Sequence, residues 1–192
     1  MPADSPAELF DVVDPATGAA LYTAPRADCH ARGLWHRSVY VFVTDPAGCH
    51  LLQQRAPTKD VAPSRWDVAA TEHVAAGESV TAAAVRGLSE ELGITVDAAR
   101  LGPALAPPRR AELRTADGVW DRELVTTFWL QGWEGGVTPD ASEVAAVRWA
   151  TADEVRALVA AGGDGGGGDA VTPWLVEAVA ATPQVLMGGG GE

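Results

Sequence analysis

Lysine is nearly absent from this chain. Of its 14 basic residues only Lys59 is a lysine, and they face 26 acidic ones, for a net charge of −12. That balance excludes nucleic acid as the main partner, because binding a duplex takes a basic surface. It also repels any anionic small molecule, so a site for one must reverse the sign locally with cations or bound metal. The arginines that make up the rest of the basic set grip phosphate bidentately, which is compatible with phosphate recognition. Cysteine is scarce as well. Cys29 and Cys49 show no C-x-x-C spacing, which excludes a disulfide framework and a zinc finger and predicts free thiols in a reducing compartment. No apolar run reaches membrane-spanning length, and the opening MPADSPAELF has no charged-then-apolar leader. The expectation is a cytoplasmic protein with no membrane contact.

What is present suits one compact domain: 192 residues, 47% hydrophobic and 21% charged. Aromatics are only 6% of the chain, yet seven of them are Trp, a residue that packs cores and can also stack on a base or a prenyl chain. Met1–Pro6 reads as a loose tail. Leu9–Asp14 and Ala19–Thr23, split by the turn cluster Pro15-Ala16-Thr17-Gly18, predict a small hairpin. Ala27–Gly33 predicts a helical turn and Ser38–Thr44 a strand. The turn signal Asp45-Pro46-Ala47-Gly48 leads into a second strand, His50–Arg55. Trp66–Ala70, Val119–Gly132 and Val144–Trp149 read as further strands. The strongest helix is Ser79–Leu92, with Ser79 or Thr81 as cap and Gly93 as stop. Thr151–Ala160 opens with a capping box, Gly162–Gly168 reads as a flexible loop, and Pro173–Ala181 as a short helix with Pro at its start. Gly188–Glu192 reads as a disordered tail. Strands on both sides of one central helix, followed by a C-terminal helix, predict an α/β sandwich.

The segment that carries chemistry is Glu72–Ile94, EHVAAGESVTAAAVRGLSEELGI. A glycine loop enters the central helix, which closes on the adjacent acids Glu90 and Glu91. About 100° apart on a helix, both can border one side of it, and two close carboxylates are natural ligands for Mg²⁺, with Mn²⁺ as the alternative. Arg86, one turn earlier, can pair with Glu90. The plain alternative is an amphipathic helix with an acidic face.

This segment resembles the Nudix box, G-x5-E-x7-R-E-U-x-E-E-x-G-U, with U a bulky aliphatic residue. Glu78, Arg86, Leu88, Glu90, Glu91, Gly93 and Ile94 fall in register. Two positions depart: Glu72 replaces the opening Gly, and Gly87 replaces the Glu after the Arg. In the family that Glu often ligates metal, so its absence removes a ligand and leaves the general base to come from elsewhere, with Glu123 and Glu143 as candidates. The resemblance implies a single Nudix domain over 1–192, an α/β/α sandwich with a mixed central sheet. Residues 1–35 would form an N-terminal extension with the hairpin, 36–160 the core, and 161–192 the glycine-rich loop, short helix and tail.

Beyond the box, FDVVD, Ala24–His30, Gly33–Arg37, Leu51–Arg55 and Trp66–Val68 resemble the branch that contains isopentenyl-diphosphate isomerase and its hydrolase-like relatives. That resemblance implies a metal held by His30, His36 and His73 and by an acidic pair matched at Asp121 and Glu123. It also implies a catalytic cysteine where this chain has Thr71, whose hydroxyl is a far weaker acid than a thiol. Arg55, Lys59 and Arg65 are the phosphate-binding candidates. Trp66, Trp120 and Trp129 are candidates for stacking or lining a pocket, with core packing the alternative for Trp66 and Trp129. Arg109, Arg110 and Arg114 form a second basic cluster, readable also as a solvated loop. Three functions follow: a Mg²⁺-dependent hydrolase of a diphosphate linkage in a nucleoside diphosphate derivative or prenyl diphosphate, a non-catalytic module that binds such a ligand, and an isomerase-like enzyme, which Thr71 disfavours. The resemblance is compatible with a monomer or a homodimer.

Overall fold

The computed structural model describes residues 7–116, 118–161 and 170–187. The tail at 1–6, the glycine-rich stretch at 162–168 and the tail at 188–192 lie outside the described residues. Nine strands and four α-helices run among them. The strands are β1 (Leu9–Val13), β2 (Ala20–Pro25), β3 (Trp35–Val43), β4 (His50–Arg55), β5 (Trp66–Asp67), β6 (Ala70–His73), β7 (Arg109–Arg114), β8 (Trp120–Leu130) and β9 (Val144–Ala150). The helices are α1 (Arg26–Arg32), α2 (Val80–Leu92), α3 (Ala152–Ala161) and α4 (Pro173–Ala181).

The main sheet has the order β6-β3-β8-β7 and is mixed: β3 runs parallel to β8, while β6 and β7 pair antiparallel at its two edges. A second sheet has the order β5-β4-β9. Strand β3 is apolar on both faces because helices cover both. Its odd residues Val39, Val41 and Val43 pack with Ala83, Ala84, Leu88 and Leu92 of α2. Its even residues Tyr40 and Phe42 pack with Val155 of α3 and Leu175 and Ala178 of α4. The result is an α/β/α sandwich.

Local chemistry sets the element ends. Ser79 Oγ accepts from the Ala82 amide, and Gly93 closes α2 in the left-handed region at φ 65°. The capping box at the start of α3 forms, with the Thr151 amide and hydroxyl both donating to Glu154. Thr172 caps α4 ahead of Pro173. The Asp45–Gly48 turn forms, but β3 and β4 do not stay paired beyond a single Thr44–His50 bridge. They diverge into different sheets, β4 toward β9, and the cleft opens where the sheets part. The basic cluster at Arg109, Arg110 and Arg114 is not a loop. It is strand β7, which alternates half-buried and exposed positions along the edge of the main sheet.

The N-terminal hairpin is tied to the core. The Ala76 amide donates to Leu9 O (2.8 Å) and the Gly77 amide to Asp11 Oδ2 (3.0 Å), while Arg37 donates to Gly18 O (2.9 Å). These contacts bury Phe10 completely.

Candidate active site

A polar cleft opens along the end of the main sheet. At one end lies a cluster assembled from four elements. His30 comes from α1, His36 from the start of β3, His73 from the end of β6 and Asp121 from the start of β8, and their ligand atoms all lie within 4.8 Å of one another. The backbone explains the convergence. In the parallel register His36 stands opposite Glu123, and Ser38 opposite His73 on the other side of β3. The period of two along a strand puts Asp121 and Glu123 on the same face of β8. Gly33 ends α1 at φ 61° and lies so close to the Trp120 ring that a Cβ there would collide with it. Only glycine both turns and fits at this point, and the turn sets the spacing from His30 to His36.

The imidazoles converge on Asp121. His36 Nε2 is 3.2 Å from its Oδ1, His30 Nε2 3.6 Å from the same oxygen, and His73 Nε2 3.9 Å from Oδ2. His73 Nε2 is also 3.4 Å from Glu123 Oε1. The His36 Nδ1–H faces Leu34 O at 2.9 Å, which leaves Nε2 with its lone pair toward the cluster. Phe10 stacks on His36 and His73, with centroids 5.0 and 4.8 Å away, and walls the cluster from the hairpin side. Burial, together with His36, His30 and Arg26, holds His73 well below the ordinary imidazole value despite the pull of Asp121. For His36 burial pulls the same way, but Asp121 and Glu123 outweigh it and the net shift is upward. Burial would raise Asp121, yet the imidazoles hold it below the usual carboxylate range. Burial and the neighbouring Asp121 push Glu123 up to about 7, and Tyr40 donates to Glu123 Oε2 at 3.0 Å.

These residues fit a divalent metal. Nε2 of His36, Nε2 of His73 and Oδ1 of Asp121 are buried with no hydrogen-bond partner, and buried polar atoms in native proteins are almost always satisfied. Three imidazoles and a carboxylate suit zinc, manganese or iron better than magnesium, which takes all-oxygen ligands.

The other end of the cleft is built from α2 and the second sheet. The buried stripe of α2 runs Ala83, Ala84, Gly87, Leu88, Glu91, Leu92. Glu91 lies on it and Glu90 does not. Of the two acids expected to share an ion, this structure turns only Glu91 into the cleft. Glu90 is half exposed and pairs with Arg86 at 3.2 Å, whereas Glu91 is buried and lines the cleft. Glu91 accepts from Gln53 Nε2 (2.5 Å) and from the Thr71 amide (3.2 Å), and burial, reinforced by Glu72, pushes it well above the usual carboxylate range. Arg86 is clasped by Glu72, Glu78 and Glu90 and donates to His73 O. Burial pushes Glu72 up to about 8 against the pull of Arg86.

The other expected site residues divide. Arg55 and Lys59 line the cleft, with Lys59 paired to Glu143 and Arg55 over the Trp174 ring at 5.2 Å. Arg65 does not reach the cleft and donates to Val171 O at 3.1 Å instead. Trp66 lies in the core with Arg148 over its ring. Trp120 is engaged by Arg122 and Arg114 and donates to Glu112, and Trp129 donates to Thr44. Among the tryptophans, Trp174 is the one that lines the cleft, held by Asp67, which accepts from its indole and from the Thr172 hydroxyl. Trp174 and Tyr40 escaped the sequence reading. Only Tyr40 had a signal, since it stands two and four residues beyond Ser38 and His36 on the same strand face.

The sandwich, with an acid-bearing central helix beside a polar cleft, defines the Nudix fold class. The NUDIX domain family matches residues 34–174, and the chain belongs to that family. Among similar proteins, one named isopentenyl-diphosphate Delta-isomerase from Nocardia farcinica is 38% identical over 175 residues, spanning 90% of this chain and 91% of that one. An uncharacterized Nudix hydrolase from Streptomyces coelicolor is 35% identical over 142 residues, 72% of this chain and 71% of that one. Of solved structures, DR0079 from Deinococcus radiodurans superposes with a TM-score of 0.66 at 20% identity, covering 91% and 99% of the two chains. The MutT protein of Methanosarcina mazei Go1 gives 0.62 at 15%, covering 80% and 96%. Among the described residues no helix is long and apolar enough to cross a membrane.

Proposed function

We propose that this protein is a divalent-metal-dependent enzyme that hydrolyses a diphosphate linkage in a small molecule, with prenyl diphosphates the favoured class over nucleoside diphosphate derivatives. The observation that carries it is the His30, His36, His73 and Asp121 cluster opening into the same cleft as Arg55 and Lys59. The cleft lining carries more acids than arginines and lysines, so an anionic ligand there would depend on the charge of a bound metal beside Arg55 and Lys59. The four residues would hold the metal, and a divalent ion there would neutralise phosphate charge and acidify water. Arg55 and Lys59 would bind the distal phosphate. Glu123, which accepts a hydrogen bond from Tyr40 and stands beside His73, is the first candidate to carry a proton. Glu143, paired with Lys59, is the second candidate base. Trp174 offers an aromatic wall for an apolar chain.

A second reading, isomerisation of an allylic diphosphate, is favoured by the relatives' names over nine-tenths of this chain and opposed by Thr71, which lines the cleft without an acidic proton. One assay separates them. The full chain is incubated with isoprenoid and nucleoside diphosphates, with and without Mn²⁺, Zn²⁺ or Mg²⁺. Metal-dependent release of phosphate or pyrophosphate supports the hydrolase, a double-bond isomer supports the second reading, and tight binding with neither product leaves a ligand-binding module.

A further inference from the structure

We propose that the ion pair between Arg109 and Glu177 is the end wall of a hydrocarbon trough between β7 and α4, and that it sets the longest chain a diphosphate ester can carry into the cleft. This rests on the diphosphate reading above and adds length selection to it. Arg109, Ala111 and Leu113 alternate along β7 and share one face. The register ties that face to the histidine cluster: Leu113 stands opposite Asp121, Ala111 opposite Glu123 and Arg109 opposite Val125. Strand β7 therefore leads away from the cluster, from Leu113 to Arg109, over about 13 Å at the usual strand rise. Across from it Pro173, Trp174 and Glu177 line the cleft from α4. Glu177 falls four and three residues after the other two, so all three share one side of that helix.

The trough is apolar along its middle and charged at its far end. Ala111, Leu113, Pro173 and Trp174 line it, with Val119 just before β8. Ala111 projects only a methyl group beside Glu123, so passage along β7 stays open there. Arg55 stands over the Trp174 ring at 5.2 Å, which brings a cation assigned to the diphosphate next to the trough. At the far end Arg109 Nη1 meets Glu177 Oε2 at 2.8 Å and bridges β7 to α4. The guanidinium lies over the Tyr40 ring at 5.3 Å. Its Nε and Nη2 are buried with no hydrogen-bond partner, so Glu177 is the contact that fixes the head across the gap. An apolar chain pressed against this pair would desolvate both charges, a penalty larger than the gain from burying further methylenes.

The test measures binding by calorimetry on the full chain with Mn²⁺ present. The probes are the dimethylallyl, geranyl and farnesyl esters of methylenediphosphonate, whose P–C–P bridge cannot be hydrolysed, and the adenosine ester for comparison. Wild type is expected to bind the geranyl ester at least about tenfold more tightly than the dimethylallyl ester, because a second isoprene unit is buried. The farnesyl ester should gain nothing further. Glu177→Ala should open the end and raise farnesyl affinity by at least about fivefold over wild type, a gain that a damaged fold does not give. Ala111→Phe should fill the trough and lower geranyl affinity by about tenfold. Equal affinity for the three prenyl esters, tighter binding of the adenosine ester than the geranyl ester, or an unchanged chain preference in Glu177→Ala overturns the proposal. The geranyl ester bound as expected while geranyl diphosphate stays intact would sink the hydrolase reading alone. Geranyl diphosphate cleaved with no preference for chain length would sink the end wall alone.

Discussion

The two ends of the cleft bury carboxylates in opposite states. At the histidine end Asp121 sits among three imidazoles, and its acidity is strengthened. At the helix end Glu91 takes its hydrogen bonds from neutral donors, and burial with Glu72 outweighs the pull of Gln53, Arg55 and Lys59, so its acidity is weakened. Burial pushes both carboxylates the same way, so the partners decide the outcome. The histidine end is arranged for a cation before any arrives. The helix end favours the protonated form of Glu91.

The largest break in this contrast should come from the histidine end. Asp121→Ala should cut metal affinity by about a hundredfold or more and abolish any metal-dependent turnover, as should chelation of wild type. Elemental analysis after gel filtration reads the first effect, and a variant that retains full metal content would dissolve the distinction. Next, Glu123→Gln should lower kcat by about a hundredfold while leaving KM and metal content nearly unchanged. An equal loss in metal content would move Glu123 from proton carrier to ligand. A smaller effect concerns the helix end in metal-free protein. The folded pKa of Glu72, about 8, lies above its ordinary 4.5, so the folded state holds the extra proton between those values and wild type loses stability as pH rises through that window. Its melting temperature should therefore fall relative to Glu72→Gln from about pH 4.5 to about pH 8. Parallel curves without metal would count against it. Smallest of all, Glu90→Gln should change turnover by less than about twofold, since its ion pair with Arg86 is half exposed.

Much of the scaffold was legible because it rests on local rules. The Ser79 cap, the Gly93 stop, the Thr151–Glu154 box and Pro173 at a helix start are signals within one or two turns, and each forms. The three histidines were legible only through resemblance, since nothing local ties His30 to His73. The outward turn of Glu90 was available from periodicity, because Glu90 falls one turn after Arg86 and Glu91 one turn after Gly87. Other features were not local. The divergence of β3 from β4 depends on β9 competing for β4, across about ninety residues of chain. Arg65 and Trp66 look cleft-bound beside Arg55, yet the C-terminal segment claims them through Val171. Trp174 enters the cleft only because Asp67, over a hundred residues earlier, holds its indole. The contact between Glu72 and Gly87 joins a strand to a helix and has no signature in either alone.

Strands β3 and β8 lie side by side and point the same way, so no tight reversal can join them and the chain must travel a long loop of structure before they meet. His36 finds Glu123 only at the end of that journey. A growing polypeptide therefore carries its first two histidines through more than eighty further residues with no acid to complete the cluster, which closes late in folding. Any fragment ending before residue 121 should leave the assembled centre unmade, however well its hairpin and central helix form.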